Sequence, residues 1–135
     1  MSTEIPLATS FVMSDVARER ARQDAKWGVQ NHPLIDQLLA AQGRPHIRFA
    51  EEYEIPTALR ATVLCQTMAR RGEVDWLRIL IEEVSEFMAA AEVAHCGPEA
   101  HAAARAELVQ VAAVAVAAIE SMDREAPVLG IGEQA

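Results

Sequence analysis

Apolar positions recur at helical spacing along most of this chain, and the segment from Trp76 to Met88 sets the frame for the rest. At about 100° per residue, Leu77, Leu80, Ile81, Val84, Met88 and Ala91 form one apolar stripe that must pack on something. Glu82, Glu83 and Glu86 fall within a wedge of roughly 100° on the opposite flank, with Trp76 and Phe87 along its edge. These acids therefore belong at the margin of a core. A second run, Leu108 to Ile119, is apolar on nearly every side, interrupted by Gln110 and preceded by Glu107. It reads as a buried helix, too short to span a bilayer. One small bundle has difficulty covering such a helix all round, so a homodimer or a dimer of dimers is expected.

The remaining elements follow from caps and breakers. Residues 1–13 carry little charge and no period and read as a loose or docked arm. Ser14 is a good N-cap and Gly28 a good stop, so Asp15 to Trp27 reads as a polar first helix with a thin stripe of Val16, Ala17, Ala21 and Trp27. Turn chemistry from Gly28 to Pro33 opens a long irregular stretch to Pro56. It passes through Gly43-Arg44-Pro45 and the Glu51-Glu52-Tyr53-Glu54 run, a solvated loop, and allows a short helix around Leu34 to Ala41. Thr57 to Arg71 is the second main helix, closed by Gly72. Glu73 to His95 is the third, ended by Gly97 and Pro98, and Pro98 opens a fourth that runs to about Met122. The tail from Pro127 is expected to fray. With no convincing strand, the pattern predicts an all-α, four-helix-bundle-like fold in a single domain over residues 1–135.

Composition sharpens this picture. Aromatics are only 4% of a chain that is 51% hydrophobic, a balance that suits packed helices better than a sandwich. Residues 1–71 hold nine Lys/Arg against eight Asp/Glu, net +1, and residues 72–135 hold three against twelve, net −9, together the net charge of −8. The acidic half argues against nucleic acid or an anionic membrane as partner, since both need clustered cations. If the ligand is an anion, a metal must mediate there. Cys65 and Cys96 fit no zinc spacing, and no apolar signal core follows a basic start, which reads as a reduced, cytoplasmic protein.

The chemistry concentrates on the third and fourth helices. Glu-Glu-x-x-Glu by itself is usually a solvated helix face, but here the acids border large apolar residues, and the fourth helix offers a matching polar intrusion at Glu107 and Gln110. Two antiparallel helices joined by the Gly97-Pro98 turn bring residues 82–86 level with 107–110, because both sets lie about 10–15 residues from the turn. An unpartnered buried charge costs several kcal/mol, so a cation is expected among them. Four oxygen donors, Glu82, Glu83, Glu86 and Glu107, suit Mg²⁺ or Mn²⁺.

The order Trp76-x-x-x-Leu80-x-Glu82-Glu83-x-x-Glu86, followed by Glu107-Leu-Val-Gln110, resembles the all-α nucleoside triphosphate pyrophosphohydrolases of the MazG-like group, whose pattern is Glu-Glu-x-x-Glu, a variable gap, then Glu-x-x-Asp. Around the first helix, Glu19-Arg20-x-Arg22-Gln23-x-x-Lys26-Trp27-Gly28-x-Gln30-x-His32-Pro33 is similar to an element of small bacterial and phage relatives. The resemblance implies hydrolysis of the α–β phosphate bond of a (deoxy)nucleoside triphosphate with Mg²⁺ or Mn²⁺. Metal would be held by Glu82, Glu83, Glu86 and Glu107, with Glu83 and Glu86 catalytic and Glu83 preferred as proton acceptor. Gln110 departs from the pattern: a neutral amide stands where the family has Asp, a weaker ligand that cannot serve as a base.

For substrate, Trp27 would face the base, with Gln30 or Asn31 at its edge, Lys26 or Arg22 near the phosphates, and Gln110 within reach. Purine dNTPs, dGTP or dATP, are the expected class because a Trp platform stacks best on a larger ring. The alternative is a non-catalytic helical dimer whose acidic groove binds a metal or a basic partner. His95 and His101 flank the turn six residues apart and read as surface residues at helix ends.

Overall fold

A computed structural model describes residues 3–41 and 46–133, and among these every regular element is helical. In chain order they are α1 (Leu7–Trp27), α2 (Gln37–Ala41), α3 (His46–Tyr53), α4 (Ala58–Arg70), α5 (Trp76–Ala91), a 3₁₀ turn (Ala94–Cys96) and α6 (Pro98–Glu133). The all-α expectation is met. The described residues group into two compact units, one drawn from Met1–Asn31 and Ala115–Ala135, the other from His32–Val114. Helix α6 contributes its first half to the second unit and the remainder to the first.

Local chemistry sets most boundaries. Thr57 caps α4 by accepting from the Arg60 N–H at 3.3 Å, and Asp75 caps α5 by accepting from the Arg78 N–H at 2.8 Å. Helix α5 thus begins at Trp76, not Glu73, because the first good cap acceptor after Gly72 is Asp75. Gly72, at φ 69°, turns the chain out of α4 while the Glu73 N–H reaches back to the Met68 carbonyl at 2.8 Å. Pro98 occupies the first position of α6, where its missing N–H costs nothing.

Other boundaries differ from those expected, and α5 ends at Ala91, short of His95. Helix α1 starts at Leu7, so residues 7–13 are not a loose arm and Ser14 is not its cap; Pro6 precedes the first turn with no side-chain cap. Its anchors in the first unit are Val12, which is buried, and Thr9, whose hydroxyl donates to the Glu120 carboxylate of α6. Helix α6 continues past Pro127 to Glu133, so the backbone there does not fray. The stretch expected to be irregular contains α3, and Glu51-Glu52-Tyr53 is its last turn, ended by Glu54 at φ 55°; the four side chains are nonetheless exposed. Among the described side chains of α3, Phe49 is the buried one. The Gly43-Arg44-Pro45 stretch lies outside the described residues.

In the second unit Phe49 and Met88 form the core, flanked by Ile35, Ala40, Ala50 and Ile55, with Phe49 stacked on Tyr53 at 6.4 Å. The backbone N–H of Asp36 donates to the Tyr53 hydroxyl at 2.6 Å, tying the start of α2 to α3. Because α4 and α3 converge on α5 from this side, the buried line of α5 runs through Ser85, Met88 and Ala91. It is rotated from the predicted stripe, and Leu77 is left 66% exposed. Buried Ser85 satisfies its hydroxyl on the Ile81 carbonyl at 2.8 Å.

Helix α6 corrects the expectation of a buried helix. Ala104 and Val116 are buried, but Leu108, Val109 and Ile119 are exposed. Over Pro98–Glu125 it is long and apolar enough, by length and composition, to cross a membrane, and only 11% of its most apolar window is buried. The run read as too short to span is part of this longer helix.

A candidate acidic metal centre

Helices α5 and α6 each present their acids to the other. Glu83 and Glu86 lie three residues apart on α5 and so share a face. Glu107 belongs to the inward line of α6 that also carries buried Ala104 and partly buried Val111 and Val114. One carboxylate oxygen from each of Glu83, Glu86 and Glu107 can be chosen so that all three lie within 4.8 Å of one another, and all three residues are partly buried.

The electrostatics follow from that crowding. Burial pushes the Glu86 carboxyl above its ordinary value of 4.5; the charges of Glu83, Glu107 and Glu82 add to the effect, as does its hydrogen bond to Glu83. Glu83 is raised for the same reasons, burial first, then Glu107 and Glu82, while the hydrogen bond from Glu86 opposes the shift. The contact between them favours the proton on Glu86 over Glu83, so the two carboxyls are coupled. Every charge acting on them is negative. Among the described residues the ion pairs of Arg18, Arg20, Arg22 and Arg78 are all with carboxylates three or four positions away on their own helices.

Three hard oxygen donors converging without a protein cation fit a divalent ion. An octahedral Mg²⁺ takes oxygens at about 2.1 Å, which spaces them roughly 3–4 Å apart, a small contraction of the cluster.

The other expected site residues are placed differently. Glu82 is not among the converging three: it faces α4, where it accepts a hydrogen bond from the buried Cys65 thiol. Burial first, then that hydrogen bond and the Glu82 charge, raises the Cys65 thiol to about 11. Gln110 is exposed, although expected on a dry face, because α6 covers only a narrow inward line. Arg22, Lys26, Trp27, Gln30 and Asn31 are exposed and belong to the first unit. Trp27 is 55% exposed, with the Lys26 ammonium 4.9 Å from its ring centroid, and Arg22 is paired with Glu19 at 2.6 Å. The Cys65–Glu82 contact was missed, because it pairs residues from two helices on either side of the Gly72 turn.

Compared with family models, curated proteins and solved structures, the chain matches none.

Proposed function

We propose that this chain is a metal-dependent nucleoside triphosphate pyrophosphohydrolase of the MazG-like type, cleaving a (deoxy)nucleoside triphosphate, with purine dNTPs such as dGTP or dATP the favoured class, to monophosphate and pyrophosphate. The observation that carries the reading is the convergence of Glu83, Glu86 and Glu107 from two facing helices, with raised proton affinity and no basic partner among the described residues. These three would hold Mg²⁺ or Mn²⁺, with Glu82 adjacent to Glu83 in sequence, and the ion when bound would supply charge neutralisation at the phosphate oxygens. Glu83 takes the proton from the attacking water as the α–β phosphoanhydride bond breaks and pyrophosphate leaves. The resemblance assigns Lys26 and Arg22 to the phosphates and Trp27, with Gln30 and Asn31, to the base.

The chain works in the cytoplasm as a homo-oligomer. Exposed Leu108 and Val109 on α6 support this, since contiguous apolar surface marks association; light scattering that gave the mass of one chain would remove that part.

A second reading, a non-catalytic helical assembly whose acidic groove takes a metal or a basic partner, is favoured by Gln110, which is neutral and exposed where the resembled pattern has an acid. Incubation of the purified protein with each common NTP and dNTP, in Mg²⁺, Mn²⁺ or EDTA, separates the two. Metal-dependent pyrophosphate and monophosphate release is expected. No release from any nucleotide with either metal would leave the groove as a binding site only.

A further inference from the structure

A cleft of about 420 Å³ opens in the second unit between α2, α5, the 3₁₀ turn and the first turn of α6. That volume lies in the range of small-molecule sites. Four of its lining residues are alanines, Ala40 and Ala41 of α2, Ala91 of α5 and Ala94 of the turn, and Leu34 and Ile35 complete the apolar wall. Among the described residues its polar lining is the imidazoles of His95 and His101. Six residues apart in sequence, these two come together because the 3₁₀ turn reverses the chain between them.

We propose that this cleft receives the base of the nucleotide. The assignment rests on the pyrophosphohydrolase reading and deepens it. Walls of alanine carry no branched side chains and leave flat apolar faces, which suit a planar ring. Among the described residues none that lines the cleft is charged, which suits the neutral end of a nucleotide better than its phosphates. Imidazole presents one nitrogen as donor and one as acceptor, the two functions a base edge also alternates. His95 places Nε2 3.7 Å from the Cys96 sulfur, leaving Nδ1 for a ligand.

The spacing from the acidic centre also suits a nucleotide. Ala91 lies five residues beyond Glu86 on α5 and His101 six residues before Glu107 on α6. At 1.5 Å per residue these separations are about 7.5 and 9 Å along the helix axes, comparable to the reach of a sugar between phosphate and base. Trp27, the other surface for the base, is an exposed ring that already carries Lys26.

The test uses the full chain in EDTA with free adenosine, guanosine, cytidine and thymidine, which have no phosphate for a metal to hold. The protein has four histidines, so their Cε1–H signals are resolvable by proton NMR, with His95→Gln and His101→Gln assigning two. Saturable shifts of the His95 and His101 signals with at least one nucleoside, with His32 and His46 unmoved, are expected. In turnover, each variant should raise KM about five- to tenfold, the loss of one hydrogen bond, with kcat and Mn²⁺ affinity retained. No shift with any nucleoside, together with wild-type KM in both variants, would overturn the assignment even if pyrophosphate release were robust. A raised KM in Trp27→Ala with neither histidine variant affected would overturn it in favour of α1. Shifts without any pyrophosphate release would sink the hydrolase reading and leave the cleft as a nucleoside site.

Discussion

Helix α1 and the α5–α6 pair both carry dense charge, and they dispose of it in opposite ways. On α1, Arg18 pairs with Asp15, Arg20 with Asp24 at 2.8 Å and Arg22 with Glu19 at 2.6 Å, each pair exposed and three or four residues apart. Such pairs are locally neutral, screened by solvent and worth little. Between α5 and α6, Glu83, Glu86 and Glu107 are all of one sign, partly buried and brought together across two helices. Their mutual repulsion is relieved only by a proton or by a cation from outside. A motif of acids says little until it is known which of these two situations its residues occupy.

The sharpest break of the comparison is Glu86→Gln, which removes one carboxylate from the crowded cluster. Metal-dependent pyrophosphate release should fall by about 10²-fold or more, with the helical circular dichroism unchanged; retained turnover would take the chemistry away from this centre. Next in size, Glu107→Gln should weaken Mn²⁺ binding by at least about tenfold, read by calorimetry or by the electron paramagnetic resonance of free Mn²⁺. Equal affinity would show that α6 contributes nothing to the ion.

The raised Glu83 and Glu86 carboxyls also predict how stability varies with pH. The folded chain holds these protons more tightly than the unfolded one, so below the ordinary value of 4.5 the groups carry no penalty. As pH rises from there through the raised folded values, stability is lost, and the loss is complete above them. The metal-free protein should therefore melt lower at pH 8 than at pH 5 through these groups, and Glu86→Gln should flatten the difference. Mn²⁺ should raise the melting temperature more at pH 8 than at pH 5, and equal increments would contradict the coupling. At the small end, Asp24→Asn on α1 breaks one exposed ion pair and should change stability by less than about 0.5 kcal/mol, with turnover unaffected. A larger destabilisation in thermal melts would mean that the α1 charges do more than solvate a helix.

Part of this was legible in the residues. Thr57, Gly72, Gly97 and Pro98 act through their own backbone and side-chain chemistry, so the boundaries they mark could be read locally. Helix α3 could not, because its buried Phe49 meets Met88 of α5 across a long separation in the chain. The pairing of Glu83 and Glu86 with Glu107 was legible from spacing about the Gly97 turn, since two helices of constant rise keep register with one another.

What the sequence determined by itself was helical content, the main turns and a likeness in charge among Glu82, Glu83 and Glu86, because periodicity and caps are properties of neighbouring residues. Tertiary structure alone decided that Glu83 and Glu86 converge with Glu107 while Glu82 turns to Cys65. It also decided that α6 stays largely uncovered and that His95 and His101 share one cleft. The physical reason is rotation: residues one position apart on a helix differ by about 100°, and the direction that becomes interior depends on the helices packed against it.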